Sequence, residues 1–251
     1  MFSELGSSPN AKSVEVYLNG EYRGVYLLCE QIEINKHRVP ITDPTTDANT
    51  SFLVEMDGWA DGTCVKVPDA LNSDRKYSIK EPEPITQAQI AYIEQYLKDC
   101  ISAVQGSDYE RVKELIDVKS FAQAYIVFEL FKNPDTNYSS VYMYKDVDGK
   151  LICGPVWDFD MSVGNVSHKG NGAFKDPALL WTAQQNPWFK GLVAFDEFKA
   201  LVGEELVKNK TMVFDKIDEI MEGACDSSKT INYVQDVQME KSLFVHFTCL
   251  Q

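Results

Sequence analysis

No run of about 18 consecutive apolar residues occurs anywhere in the chain, so no segment reads as a membrane-spanning helix. The first residues, Met1-Phe2-Ser3-Glu4-Leu5, carry neither the basic start nor the apolar stretch of a signal peptide. Basic residues are scarce: Lys and Arg number 24 against 38 Asp and Glu, a formal net charge of -14. That excess argues against nucleic acid or an anionic membrane as partner, because both are themselves negative. It suits cations or basic polypeptides, with simple solubility as the ordinary alternative. The three histidines (His37, His168, His246) form no motif. None of the six cysteines (Cys29, Cys64, Cys100, Cys153, Cys225, Cys249) stands in a C-x-x-C pair, so zinc-type spacing is missing. Free buried thiols are the expected state, and three disulfides remain open at this level.

What is present reads as an α+β chain with no internal repeat and no flexible linker. Val14, Val16 and Leu18 alternate with polar residues and run into Asn19-Gly20, a strong hairpin signal. The return strand covers roughly Tyr22 to Leu28. Short strands are expected around Phe52 to Met56 and Lys76 to Lys80, making a small antiparallel sheet at the front. After Pro82-Glu83-Pro84 the pattern turns helical. Thr86-x-x-Gln89 is a capping box, and Ile90, Ile93, Leu97, Ile101 and Val104 follow at helical spacing. The stretch from Phe121 to Phe131 is apolar almost all round, which marks a buried helix, and Asn133-Pro134 ends it. A second hairpin, Val141 to Tyr144 and Leu151 to Val156, turns through Asp146 to Gly149 and is embedded among helices. From about Asp176 the pattern is mostly helical, with Phe195, Phe198, Leu201 and Val202 on one face.

Two acidic clusters flank the embedded hairpin. Asn133-Pro134-Asp135-Thr136-Asn137 precedes it, and Trp157-Asp158-Phe159-Asp160 follows it. A turn centred on Val147-Asp148 sets position 141 opposite 154 and, by continuation, 137 opposite 158. Asp158 is thereby expected beside the loop that carries Asp135, Asn137 and Ser140. Carboxylates gathered so closely repel unless one is protonated or a cation lies between them. Oxygen ligands of this kind suit Mg²⁺, Mn²⁺ or Ca²⁺. The plain alternative is that Asn-Pro-Asp is a turn and that an Asp after a strand caps a backbone amide.

The stretch Val16 to Ile32, with Asn19-Gly20, Tyr22, Gly24, Tyr26, Leu28 and Glu30, resembles the NGxYxGxYxLxE signature of the CotH family, the spore-coat protein H kinases. Asn133-Pro134-Asp135, Val141 to Tyr144 and Pro155 to Asp160 resemble the later blocks of that family, in the same order and at similar spacing. The resemblance spans nearly the whole chain. It implies a reduced, atypical protein-kinase-like fold, in which ATP and a divalent metal (Mg²⁺, or else Mn²⁺ or Ca²⁺) phosphorylate Ser or Thr of a surface or spore-coat protein. It also implies an extracellular, cell-surface or spore-coat location. The kinase template places a catalytic-loop Asp, a metal-binding Asn five residues on, and a metal-binding Asp beyond a hairpin.

On that template Asp135 is the catalytic acid that orients or deprotonates the acceptor hydroxyl, and Asp158 holds the metal. Position 140 is Ser where the template has Asn, so Ser140 or Asn137 would substitute as a ligand. Asp160 is a further ligand or a cap for the turn at Met161 to Gly164. Glu30 sits where a hinge would meet adenine through its backbone, and Lys80 could reach a phosphate or simply be solvated at a strand end. The acidic surface would attract basic, serine-rich substrates. Two other classes stay open: a non-catalytic surface module that binds calcium through the acidic cluster, and a carboxylate-dependent hydrolase acting on glycans.

One departure concerns the nucleotide lobe. A kinase anchors the phosphates with a lysine on an N-terminal strand, paired to a glutamate on the following helix. Only residues 1–12 precede the first hairpin, and Phe2 to Gly6 resembles the last turn of a helix ended by glycine. The expectation is a single domain over 1–251, N-terminally truncated, with 1–84 a partial nucleotide lobe and 85–251 a helical lobe holding the catalytic loop and metal site.

Overall fold

The computed structural model describes residues 9–42, 44–162 and 180–225. The helical turn expected at Phe2 to Gly6, and the loop containing Gly164-Asn165 and Gly170-Asn171-Gly172, lie outside the described residues. Two antiparallel strands come first, β1 (Ala11–Leu18) and β2 (Glu21–Cys29). They are joined by Asn19-Gly20, both with positive φ (53° and 84°), the conformation that a two-residue hairpin turn demands. This hairpin is a sheet by itself.

The second sheet has five strands: β3 (Phe52–Met56), β4 (Cys64–Lys66), β5 (Lys76–Glu81), β6 (Val141–Lys145) and β7 (Ile152–Val156), in the order β4-β5-β3-β6-β7. Every pairing in it is antiparallel. The front sheet expected from sequence is therefore two sheets, and the second hairpin belongs to the larger one rather than standing alone among helices. The reason lies in β3. Its two edges are taken by β5 and β6, which leaves none for β2.

Six helices complete the α+β fold among the described residues. The first, α1 (Gln87–Val104), begins at a full capping box between Thr86 and Gln89. A short α2 (Tyr109–Leu115) follows, capped by Asp108, and was not anticipated from the sequence pattern. Asp117 caps α3 (Val118–Phe131), the helix expected to be buried; Phe121, Ala122, Ala124, Ile126, Val127 and Phe128 are all inaccessible or nearly so. Two short helices, α4 (Thr182–Gln185) and α5 (Pro187–Leu192), precede the long α6 (Asp196–Cys225).

One core joins these layers. Phe52, Val54, Met56 and Tyr77 of the sheet pack with Ile93 and Leu97 of α1, Phe121 and Phe128 of α3, and Trp188 and Phe189 of α5. Phe198 of α6 closes it, in keeping with the apolar face expected there. A smaller cluster, Val39, Ile41, Leu53 and Tyr144, covers the opposite side of the sheet with the segment after β2. Strict alternation of side chains makes β3 contribute to both clusters, Phe52 and Val54 to one and Leu53 to the other. Cys100 and Cys153 are buried free thiols, as expected, and burial pushes both far up; Cys29 and Cys64 are free but only half-buried.

Candidate catalytic and metal site

Three backbone decisions build the site. Helix α3 stops at Lys132, which adopts the left-handed conformation (φ 50°). Asn133 then caps a 3-10 turn over Pro134–Asn137, its side-chain oxygen accepting from Asp135 N at 3.0 Å. The same side chain donates from Nδ2 to the backbone oxygen of Asp158 at 2.9 Å. Asn133 is buried, so one amide fixes both acidic segments at once. From behind, the Thr136 hydroxyl donates to Asn133 O at 3.0 Å, and Asn186 Nδ2 donates to Thr136 O at 2.6 Å.

The second decision is the register of β6 with β7. Val141 pairs with Val156, Met143 with Cys153 and Tyr144 with Ile152, with a shift between Val141 and Met143. The pairing differs from the expected 141 with 154 by two residues: the register at Met143 is already one residue on, and a bulge between Met143 and Val141 adds another, where Gly154 takes φ 142°, open only to glycine. The extra residue re-aims the chain beyond β7 without losing the convergence. Asp158 still arrives at the loop before β6.

The third decision is Phe159. Its ring stacks on Phe128 (centroids 5.9 Å apart) and meets Phe131 edge-on (5.6 Å). Anchoring Phe159 onto α3 leaves Asp158 and Asp160, on either side of it, directed outward and exposed. Asp158 itself holds a left-handed backbone, φ 61°, as does Ser140, φ 61°. Non-glycine residues in this region are uncommon, and clustering of them marks sites where surrounding contacts over-determine the backbone.

The outcome is a group of three carboxylates, Asp135, Asp158 and Asp160, with one ligand oxygen from each lying within 4.8 Å of the others. Ser140 joins them: its hydroxyl donates to Asp158 Oδ2 at 2.9 Å. Desolvation pushes the Asp160 carboxyl upward, and the charge and hydrogen bond of Asp158 push it further. A proton or a cation relieves that repulsion. An all-oxygen donor set of this size fits Mg²⁺, Mn²⁺ or Ca²⁺, not a thiophilic metal.

Other anticipated residues fall in different places. Asn137 engages the scaffold through its backbone oxygen, which accepts from Arg75 Nη1 at 2.6 Å. Glu30 follows β2 directly and binds Asn10, its carboxylate accepting from the backbone N (2.9 Å) and from Nδ2 (3.1 Å). Its own backbone N–H donates to Asn10 O at 3.1 Å, and it does not join the acidic group. Lys80, on β5, is held rather than simply solvated: Nζ lies 2.8 Å from Glu55 Oε2, with the lysine 37% exposed and the glutamate 10%.

Glu55 is the residue the sequence reading missed. Its other oxygen accepts from Ser140 N at 3.2 Å, so it ties Lys80 on one side to the carboxylate group on the other. The signal was available: a single acid sits inside the apolar run Phe52–Met56, every residue of which is buried. Burial, followed by the charges of Glu55, Asp57 and Asp158, pushes the neighbouring Tyr142 phenol well above its ordinary range. On the far side, Glu129 accepts from the backbone N–H groups of Trp181 (2.9 Å) and Thr182 (2.7 Å) and pairs with Lys132. Burial alone would raise its pKa; these donors together outweigh that and hold it low.

An acid in the turn before a hairpin and a second acid after it, gathered in a compact, oxygen-rich group, follow the order of the kinase template. The chain belongs to the CotH family: the profile described as CotH kinase protein matches residues 1–234. No curated protein matches the sequence significantly. Family membership carries with it, in general terms, ATP and a divalent cation. No helix among the described residues is long and apolar enough to cross a membrane.

Proposed function

We propose that the domain transfers the γ-phosphoryl group of ATP to a Ser or Thr hydroxyl of a basic, serine-rich surface or spore-coat protein. The observation that carries this reading is the Asp135, Asp158 and Asp160 group within 4.8 Å. Asp158 and Asp160, helped by Ser140, would hold a divalent cation, which when bound neutralises charge on the nucleotide phosphates. Lys80, oriented by Glu55, supplies a further positive charge to the phosphates from the neighbouring strand. That pair fills the lysine and glutamate roles of the kinase template with two adjacent antiparallel strands instead of a strand and a helix.

Asp135 faces the acceptor. The hydroxyl oxygen forms a bond to the γ-phosphorus while the bond from that phosphorus to the β,γ-bridging oxygen breaks. ADP leaves with that electron pair, and the hydroxyl proton passes to the Asp135 carboxylate. The carboxylate and the backbone N–H of Glu30 are both engaged by Asn10, so contact with adenine there would fall to its backbone carbonyl. The net charge of -14 supports a basic acceptor.

The test is incubation of the full chain with γ-labelled ATP, Mg²⁺ or Mn²⁺, and a Lys-rich serine peptide. Incorporation that disappears with Asp135→Ala supports the reading. Metal-dependent stabilisation with no nucleotide effect would instead mark a calcium-binding module, and glycan cleavage without ATP a hydrolase.

A further inference from the structure

Large aromatic side chains are usually buried or scattered singly on a surface, so an exposed pair of them beside a reactive group is informative. Trp59 is 74% exposed and Tyr138 40% exposed. Their rings meet edge-on, centroids 5.2 Å apart and planes at 74°. By contrast, Trp181 and Trp188 are buried in the core.

The pair is built into the catalytic turn. Tyr138 N donates to Asp135 O at 2.7 Å, and Tyr138 O accepts from Gly58 N at 2.8 Å. The phenol donates to Gly58 O at 3.2 Å, closing a two-bond clamp between the turn and the loop after β3. Glycine is required at 58, since a Cβ there would overlap the Tyr138 ring. Trp59 is set in turn by Asp57, whose side chain accepts from Trp59 N at 2.9 Å.

The electrostatic surroundings choose the occupant. The bond from Trp59 N holds the Asp57 carboxylate beside that residue. Asp61, two residues beyond Trp59, is exposed. A cavity of about 200 Å³ opens beside the pair, lined by Gly58, Asn72, Asp74, Arg75, Lys76 and Tyr138. Its charged groups are already committed, Arg75 to Asp69 at 2.7 Å and to Asn137 O, and Asp74 to Lys66 at 2.7 Å, while Lys76 Nζ donates to Ala60 O at 3.3 Å. An exposed indole flanked in the chain by two carboxylates, Asp57 and Asp61, attracts cations, because the ring quadrupole and the charges act in the same direction.

We propose that Trp59 and Tyr138 form the platform on which a Lys- or Arg-bearing segment of the acceptor polypeptide docks, and that this contact sets the choice of acceptor next to Asp135. The inference rests on the kinase reading and names the substrate determinant within it. A basic side chain lies over the exposed indole, which brings the acceptor segment beside Tyr138, whose N–H is bonded to Asp135 O.

The experiment uses the full chain with two serine peptides identical except that one carries Lys and Arg where the other carries Gln. Trp59→Ala is expected to raise KM for the basic peptide roughly five- to tenfold, with kcat and KM for ATP held. It should leave the already high KM for the Gln peptide in place, and Trp59→Phe should recover most of the loss. An equal loss for both peptides, or a fall in kcat at constant KM, overturns the platform. If the wild-type chain transfers no phosphate, the kinase reading fails and the platform is judged by fluorescence titration alone. Quenching by the basic peptide that is absent in Trp59→Phe and weaker with the Gln peptide supports it; no binding of the basic peptide by the wild type refutes it.

Discussion

The Ser140 hydroxyl donates to Asp158 Oδ2 at 2.9 Å, and both residues hold the same left-handed backbone, φ 61°. The bond crosses from the strand entering the hairpin to the segment leaving it, so two parts of the chain are locked at the point where the acids gather. Ser140 is also clamped through its backbone N–H to Glu55, which binds Lys80. Lys80, Glu55, Ser140 and Asp158 thus form one connected line across the sheet, leading from a cation to the carboxylate group.

Different positions in that group imply different losses. Asp158→Ala should abolish metal-linked nucleotide binding, whereas Asp135→Ala should leave binding nearly intact and lower the transfer rate roughly a hundred- to ten-thousand-fold. Nucleotide affinity with and without Mg²⁺, measured by calorimetry, separates the two. An Asp158 variant that binds as tightly as wild type would remove Asp158 from the metal site.

Replacing Ser140 by Asn tests the departure from the kinase template. Asn tolerates a positive φ better than Ser, so the backbone at 61° accepts the change. Its amide oxygen is a better ligand for Mg²⁺ than a neutral hydroxyl. The expected result is half-saturation of activity at a lower Mg²⁺ concentration. A metal titration that does not move would show that position 140 lies outside the coordination sphere.

Local chemistry in the sequence was enough to place Thr86 and Gln89 at a helix start, Asn19-Gly20 in a hairpin turn and Asp158 near Asp135. Each of these depends on residues close in sequence, or on a hairpin whose two strands are adjacent. The bulge at Gly154 was not legible, because a glycine in a strand signals irregularity without saying how far the register slips. Nor was the partnership of Glu55 with Lys80. It arises from the order β5-β3-β6, a non-local pairing that no periodicity encodes. Trp59 was missed for a similar reason: whether an aromatic residue is core or surface depends on what packs over it, and nothing among the described residues covers most of this one.

Lys80→Met keeps the length of the side chain and removes its charge. If Lys80 contacts the phosphates, KM for ATP should rise roughly ten- to a hundredfold, the scale of a hydrogen bond to a charged group. Glu55→Gln should give a smaller rise, since the lysine remains but loses its ionic partner, and the bond to Ser140 N can persist through the amide oxygen. A Lys80→Met variant with unchanged KM for ATP would return Lys80 to a structural role, pairing Glu55 within the sheet. Thermal denaturation of both variants shows whether any loss comes from unfolding rather than from the site.

The last prediction joins metal and pH. Asp160 has a carboxyl raised by burial and then by Asp158, so the folded chain binds that proton more tightly than the unfolded chain does. Stability from this group therefore rises as pH falls through the raised value, and the cost of ionising it is borne at neutral pH. A divalent cation between the carboxylates reverses the situation by replacing repulsion with coordination. Saturating Mg²⁺, Mn²⁺ or Ca²⁺ should stabilise the fold at pH 7, by about 2.7 kcal/mol at a concentration 100 times the dissociation constant. The gain should shrink as pH drops through the raised Asp160 value, because the proton then competes with the cation for that carboxylate. Asp160→Asn should raise the melting temperature without metal at pH 7 and blunt the response to metal. Thermal denaturation scans across pH, with EDTA or with each cation, measure both effects, and a metal-induced shift of equal size at pH 4 and pH 7 would place the ion somewhere other than among these three acids.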